Sequence, residues 1–324
     1  MDPTNYECSP RDDAIHGDRA PGYFEWWYLD ALLDDGSSYA TSWHVNGVGA
    51  DGMVRFQFYD PQGKKTQASA TFAPSETQAS RETCDIKMGE NRLSGQHPRW
   101  QLRFRQGDIG YDLAMRSATQ GVRTPPDGVT PFSLDGSRWM GWAVPVPRAE
   151  VTGEVVIAGE RLPVHGVGYH DHNWGVGGGD GGMDGLNALY DFWYWGRIYL
   201  PDHTIVWSVG CAAEELGHGP ANVMLALAGE KLLARTRRLD LREADVRTDS
   251  ATGVPYAGTL VLTLSHPEVQ GELALVVQKV LEQTQMRARG HGYLSFVDEC
   301  RADLLVRGER VQAKVTGIHE KMRP

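Results

Sequence analysis

Alternation of apolar and polar residues with a period of two, broken every eight to twelve or so positions by turn formers, most narrows what this chain can become. Met53-Val-Arg-Phe-Gln-Phe-Tyr59 alternates cleanly and runs into Asp60-Pro-Gln-Gly63, a turn. Before it, Tyr23-Phe-Glu-Trp-Trp-Tyr-Leu-Asp-Ala-Leu-Leu33 reads as an aromatic-rich strand closed by the hairpin signal Asp34-Asp-Gly36, with residues 38–45 as its partner. Further short strands are expected over 67–72, 84–88, 91–94, 100–105 and 111–117, and this half shows no long helical periodicity. Regularly punctuated strands of this kind predict an antiparallel sandwich or barrel.

A length of 324 residues suggests two domains at about 150 residues each. Residues 1–22 are polar and irregular and read as an N-terminal arm; 23–185 form a first β-domain and 186–324 a second. The stretch 121–134, with Thr124-Pro-Pro-Asp-Gly128, is expected to be a long loop over a barrel mouth, since proline cannot feed a central ladder. Strands resume over 139–147, 151–157 and 161–165. The run from Gly175 to Gly185 holds so many glycines that a linker or mobile flap is expected. A second strand series then covers 190–199, 204–212, 222–228, 231–239, 244–248, 259–265, 272–280, 293–306 and 311–320. Both halves open on an aromatic strand carrying an acid, Glu25-Trp-Trp-Tyr28 and Asp191-Phe-Trp-Tyr-Trp195. The expectation is an all-β fold of two similar tandem antiparallel β-barrels or sandwiches. They would meet near residues 175–190, with a ligand pocket at or near their interface.

Hydrophobic residues make up 41% of the chain, enough for a core, and the net charge is −10 with no basic stripe. That balance argues against nucleic acid or an anionic membrane as partner. With no membrane-length apolar run and no basic-then-apolar leader, a soluble, cytoplasmic protein is expected. Cys8, Cys84, Cys211 and Cys300 are widely spaced and read as reduced, mostly buried thiols rather than a zinc or disulfide framework. Neither a GxSxG elbow nor a nucleotide-binding glycine loop is present in the required setting. Asp180 and Asp184 match no calcium-loop spacing and read as solvated acids.

Chemistry concentrates in Gly166-Val-Gly-Tyr-His-Asp-His-Asn-Trp-Gly175. As a strand, it places His170, His172 and Trp174 on one face and Tyr169, Asp171 and Asn173 on the other. With His165 nearby and His44 behind Trp43, three roles stay open for the histidines: metal ligands completed from elsewhere, proton handling with Asp171, or packing. No second ligand pair is evident, so no metal is assigned. Glu25, beside two tryptophans, is either a desolvated general acid or a buried acid holding strands together. The indoles and phenols of Trp27, Tyr28, Trp43, Trp142, Trp174, Trp193, Tyr194 and Trp195 are either core and girdle or the walls of an aromatic pocket able to face a developing carbocation.

Through Glu25-Trp-Trp-Tyr28, Gly168-Tyr-His-Asp-His-Asn-Trp-Gly175 and Trp193-Tyr-Trp-Gly196, the chain resembles the carotenoid 1,2-hydratase (hydroxyneurosporene synthase) family. This broad group includes AttH-like proteins, kievitone hydratase-like enzymes and fungal decalin-forming Diels–Alderases. The resemblance implies two lipocalin-like domains, a hydrophobic pocket at or near their interface and no obligatory cofactor. It implies an enzyme of secondary metabolism acting on an unsaturated isoprenoid or polyketide-type molecule. Acid–base hydration, dehydration or cyclisation would run through Asp171, His170, His172 and Glu25. Trp27, Tyr28, Trp43, His44, Trp142, Tyr169, Asn173, Trp174, Trp193, Tyr194 and Trp195 would contact the substrate. The alternatives are a pericyclase of the Diels–Alderase kind and a lipocalin-like carrier of a hydrophobic ligand.

Overall fold

The computed structural model describes residues 6–17, 20–45, 51–179, 181–286 and 289–324. The chain divides into two compact units, Met1–Leu186 and Asn187–Pro324. Both are built almost wholly of antiparallel strands, as the alternation predicts.

The first unit holds β1 (Tyr23–Leu33), β2 (Ser38–Val45), β3 (Gly52–Tyr59), β4 (Lys65–Phe72), β5 (Thr77–Ala79), β6 (Cys84–Met88) and β7 (Asn91–Gln96). It continues with β8 (Arg99–Gln106), β9 (Ile109–Ser117), β10 (Val122–Arg123), β11 (Val129–Pro131), β12 (Trp139–Ile157) and β13 (Glu160–Val176). They form one sheet in the order β4-β3-β2-β1-β13-β12-β9-β8-β7-β6-β5, with β10 and β11 added against β12. The sheet curls until β4 meets β8 and β9, a nearly closed barrel. Its opening strand therefore lies against its final one: Tyr23 pairs with Val176 and Leu33 with Gly166.

Alternation then decides what lies inside. Trp27, Leu29, Ala31 and Leu33 of β1 join Trp43, Val54, Phe56, Trp100, Leu102, Phe104, Tyr111 and Val151 in the barrel core. Burying a large side chain of this kind is worth about 1.5–3 kcal/mol. The intervening positions, Trp26, Tyr28 and Asp30, face outward.

The second unit repeats the plan with β14 (Tyr190–Tyr199), β15 (His203–Ala212), β16 (Val223–Ala228), β17 (Lys231–Thr236) and β18 (Leu239–Thr248), then β19 (Pro255–His266), β20 (Val269–Gln285), β21 (Gly292–Val306) and β22 (Glu309–Arg323). The sheet order is β17-β16-β15-β14-β22-β21-β20-β19-β18, so here too the first strand pairs with the last. Ile198, Leu200, Trp207, Leu262, Leu273 and Leu304 belong to its core.

Three expectations change. Residues 139–157 form one continuous strand rather than two, its register slipping between Ala143 and Val146 and again between Val146 and Ala149. Bulges of this sort let a long strand bend around a barrel. Residues 160–176 are likewise one strand, which absorbs the first two residues of the glycine-rich run. That run also contains a short helix, α1 (Gly182–Asn187), where a structureless linker was expected. Asp184 is exposed in its first turn, while Asp180 lies outside the described residues. No helix among the described residues is long and apolar enough to cross a membrane.

Candidate functional site

The pairing of β1 with β13 brings the two motifs together and splits them by face. Glu25 lies opposite Trp174, Trp27 opposite His172 and Leu29 opposite His170; between them Trp26 lies opposite Asn173 and Tyr28 opposite Asp171. Directly opposed residues project to the same side. His170, His172, Trp174, Glu25 and Trp27 therefore share the inner face, and Asp171, Tyr169, Asn173, Tyr28 and Trp26 the outer one. Asp171 cannot act with either histidine through direct contact, because the sheet stands between them.

The inner histidines are occupied by the N-terminal arm. A 3₁₀ turn at Pro10–Asp13 buries Asp13, whose carboxylate accepts from Trp100 Nε1 at 2.9 Å and from His170 Nε2 at 3.0 Å. Trp27 Nε1 donates to the Asp13 carbonyl at 2.9 Å. The other nitrogen of His170 donates to the Tyr28 carbonyl at 3.0 Å. Burial alone would strip the His170 proton, but the Asp13 carboxylate overrides it and raises the imidazole above its ordinary range. His172 is bonded alike, Nδ1 to the Asp12 carbonyl and Nε2 to Glu25, each at 3.0 Å. Glu25 also accepts the backbone N–H groups of His16 at 2.7 Å and Gly17 at 3.0 Å and the Tyr23 hydroxyl at 2.7 Å. Burial pushes the Glu25 carboxyl up, yet His172 and these other donors outweigh it, and the net shift is downward. A carboxyl held down is ionised at neutral pH and is no general acid. Glu25 is thus the buried acid holding strands together, and it secures the arm as well.

His170 and His172 direct their Nε2 atoms to different carboxylates, so they do not form the two-histidine ligand face considered from the sequence. Asp13, Cys84 and His170 are the three whose ligand atoms lie within 4.8 Å of one another. Among the described residues, they are the side chains that could hold a metal ion. Burial, reinforced by Asp13, keeps the Cys84 thiol well above its usual range and therefore protonated. His165 is exposed beside Asp34 and Glu150, a surface ion pair. Trp43 is core: its indole N–H donates to the Tyr111 hydroxyl at 3.0 Å.

The outer face differs. Asp171 Oδ2 accepts from Trp142 Nε1 and from the Tyr169 hydroxyl, each at 2.9 Å, and Oδ1 accepts from Asn173 Nδ2 at 2.7 Å. A carboxylate offers about four acceptor directions, so one remains for an incoming proton. Burial raises the Asp171 carboxyl to about 6, against the pull of its three donors. The half-buried Tyr28 donates to Asp30 at 3.1 Å, and its ring centroid stands 6.5 Å from that of Tyr169. Trp26 lies along the same face, 6.2 Å from the ring of His44, which burial and Arg55 hold neutral with a pKa of about 3. His44 Nε2 is bonded to Ser42 Oγ at 2.9 Å.

Sequence reasoning passed over four residues. Asp13 and His16 sat in an arm read as irregular, and Tyr23 was read only as the first residue of a strand. Trp26 was passed over for Trp27, although it shares the parity of Tyr28 and Asp30. His16 stacks on Trp174 with centroids 3.8 Å apart, and burial and the neighbouring His172 hold it down to about 4. Trp193, Tyr194 and Trp195 open the second unit; Tyr194 faces its interior, and Trp193 and Trp195 its outer side.

Fold and residues together define a tandem β protein of two lipocalin-like domains. No protein-family model matches the chain. It is 25% identical to the hydroxyneurosporene dehydrogenase of Chlorobaculum tepidum over 99% of its own length and 87% of that protein's. It shares its fold with a protein described as AttH from Nitrosomonas europaea, at a TM-score of 0.70 and 14% identity over 99% of this chain and 98% of that one. CghA in complex with Sch210972 superposes at 0.69, with 12% identity over 93% and 88% of the two chains. Kievitone hydratase from Nectria haematococca superposes at 0.62, with 15% identity over 99% and 96%. These similarities bear out the resemblance to the carotenoid 1,2-hydratase and AttH-like group.

Proposed function

We propose that the protein is a cofactor-independent enzyme that adds water to, removes water from, or cyclises a hydrophobic unsaturated small molecule, with Asp171 as its proton-transfer group. One observation carries this reading: a buried carboxyl with a pKa of about 6, fixed by three donors and flanked by Trp26, Tyr28 and Trp142. A group titrating near neutrality gives and takes a proton at comparable cost, which is what a reversible hydration needs. Trp142, Tyr169 and Asn173 orient the carboxyl, and aromatic faces beside it would stabilise positive charge developing on carbon. The hydroxyneurosporene- and kievitone-related names among the relatives support an isoprenoid or polyketide-type substrate. His170, His172 and Glu25 hold the arm and have no direct part in the chemistry.

A pericyclase would use the same polar groups to orient a substrate carbonyl. Trp142, Tyr169 and Asn173 instead spend these donors on Asp171, which favours proton transfer. To test this, a panel of isoprenoid and polyketide alkenes and alcohols is incubated with wild-type and Asp171→Asn protein, and gain or loss of water or ring closure is followed by mass spectrometry. The expected result is turnover by the wild type with an inflection near pH 6, reduced about 10²- to 10⁴-fold in the variant. Equal turnover by both proteins, with a flat pH–rate profile and no solvent isotope effect, would sink the acid–base reading in favour of the pericyclase.

A further inference from the structure

The interior of the second barrel contains a polar site unrelated to Asp171. His319 on β22 lies opposite Gly196 of β14 and Phe296 of β21. Its Nδ1 donates to Asp298 Oδ2 at 2.6 Å, with both side chains fully buried. The Phe296 ring stacks on the imidazole at 4.4 Å, the Tyr194 ring stands 6.1 Å away, and the Trp207 ring 6.5 Å away. Within this cage His319 Nε2, Asp298 Oδ1 and Trp207 Nε1 have no hydrogen-bond partner among the described residues. Buried polar atoms left unpaired cost stability and are rare in native proteins, so several around one imidazole need an explanation.

Comparison with the first barrel supplies one. His172 lies opposite Trp27 on the opening strand as His319 lies opposite Gly196, and Trp43 and Trp207 follow as the next neighbours on β2 and β15. In the first barrel the arm and Glu25 fill both nitrogens of His172, and Tyr111 satisfies the Trp43 indole. In the second, no described residue does either for His319 Nε2 or Trp207 Nε1. Glycine stands at position 196 where the first barrel has tryptophan, and the Trp207 ring lies against it, since an added Cβ would come 2.7 Å from that ring. Gly317, two residues before His319 on the same face, could carry a Cβ with nothing closer than 3.6 Å.

We propose that the second barrel is an internal binding site for a small apolar molecule bearing a hydroxyl group, of the size of a phenol or short alcohol. With Nδ1–H committed to Asp298, the tautomer this bond selects has the Nε2 lone pair as an acceptor, while Trp207 presents an N–H donor. A hydroxyl is the smallest group that serves both, donating to His319 and accepting from Trp207. The Phe296 and Tyr194 rings would take the apolar part.

The full-length protein is titrated with phenol and 1-hexanol, and with benzene and hexane as partners lacking the hydroxyl. Binding is followed by calorimetry and by the ¹⁵N resonances of the His319 imidazole. The hydroxylated probes are expected to bind about tenfold more tightly than their hydrocarbon partners and to shift the Nε2 resonance. His319→Phe and Trp207→Phe should each lose most of that preference. Should either fail to fold, Asp298→Ala provides the test: it removes the acceptor that keeps the proton on Nδ1, and the preference should fall by a similar factor. Equal affinity for phenol and benzene, no binding of any probe, or a tightly held water bridging Nε2 and Trp207 that no probe displaces would overturn the proposal.

Discussion

Asp171 illustrates at the scale of one residue how function and stability oppose each other. Its carboxyl is raised from 3.8 to about 6, so the folded chain holds this proton more tightly than the unfolded chain does. Folding stability is therefore fully present below the unfolded value and declines as pH rises from there through about 6, by about 3 kcal/mol in all. Asp171→Asn removes that dependence. Denaturant unfolding at pH 7.5 should find the variant more stable by about 1–3 kcal/mol, with the gap closing by pH 4. The substitution that stops turnover should therefore strengthen the fold, as expected where a site is kept at some cost to stability. Equal stability of the two proteins at both pH values would mean that Asp171 is not desolvated.

The 3₁₀ turn and the inner faces of β1 and β13 behave as one clamp. Glu25 is depressed from 4.5, so the stability it contributes is present above that value and fades as pH falls through its folded pKa. His170 is raised from 6.5, so its contribution is complete below that value and fades as pH rises through its folded pKa. The arm should be held best between these limits. Glu25→Gln removes the carboxylate that gathers His172, the Tyr23 hydroxyl and the His16 and Gly17 N–H groups, a loss of about 1–3 kcal/mol. Limited proteolysis should then cut near residue 17 well before global unfolding, whereas an arm as protected as in the wild type would contradict the clamp. None of this could be read from the arm itself. Arg11-Asp-Asp13 looks like any solvated charged stretch, and the partners that bury Asp13, Trp100 and His170, lie far along the chain. Strands were legible because alternation is local, and the division of Tyr169–Trp174 between two faces follows from the same period. What alternation cannot supply is register. Only pairing with β13 shows that Trp26, not Trp27, shares a face with Asp171.

For the whole molecule, each unit has a hydrogen-bonded sheet and an apolar core of its own. Residues 187–324 expressed alone should therefore give a β-type circular dichroism spectrum and melt cooperatively. A disordered fragment would show that this core is insufficient by itself. The two units also put similar sheets to different uses. In the first, Asp13 and Glu25 bond two interior histidines; in the second, the corresponding histidine keeps a nitrogen with no partner among the described residues.

Joining the first strand of each unit to the last has a kinetic consequence. β1 leaves the ribosome long before β13 exists, so the aromatic edge Tyr23–Tyr28 must wait while almost the whole unit is synthesised. Closing so long a loop is entropically costly, and folds dominated by distant pairings form slowly. Until then β1 is an open, aromatic strand edge of the kind that pairs with other chains. Aggregation of this protein during synthesis should therefore depend most on how long Glu25-Trp-Trp-Tyr28 stays without its partner.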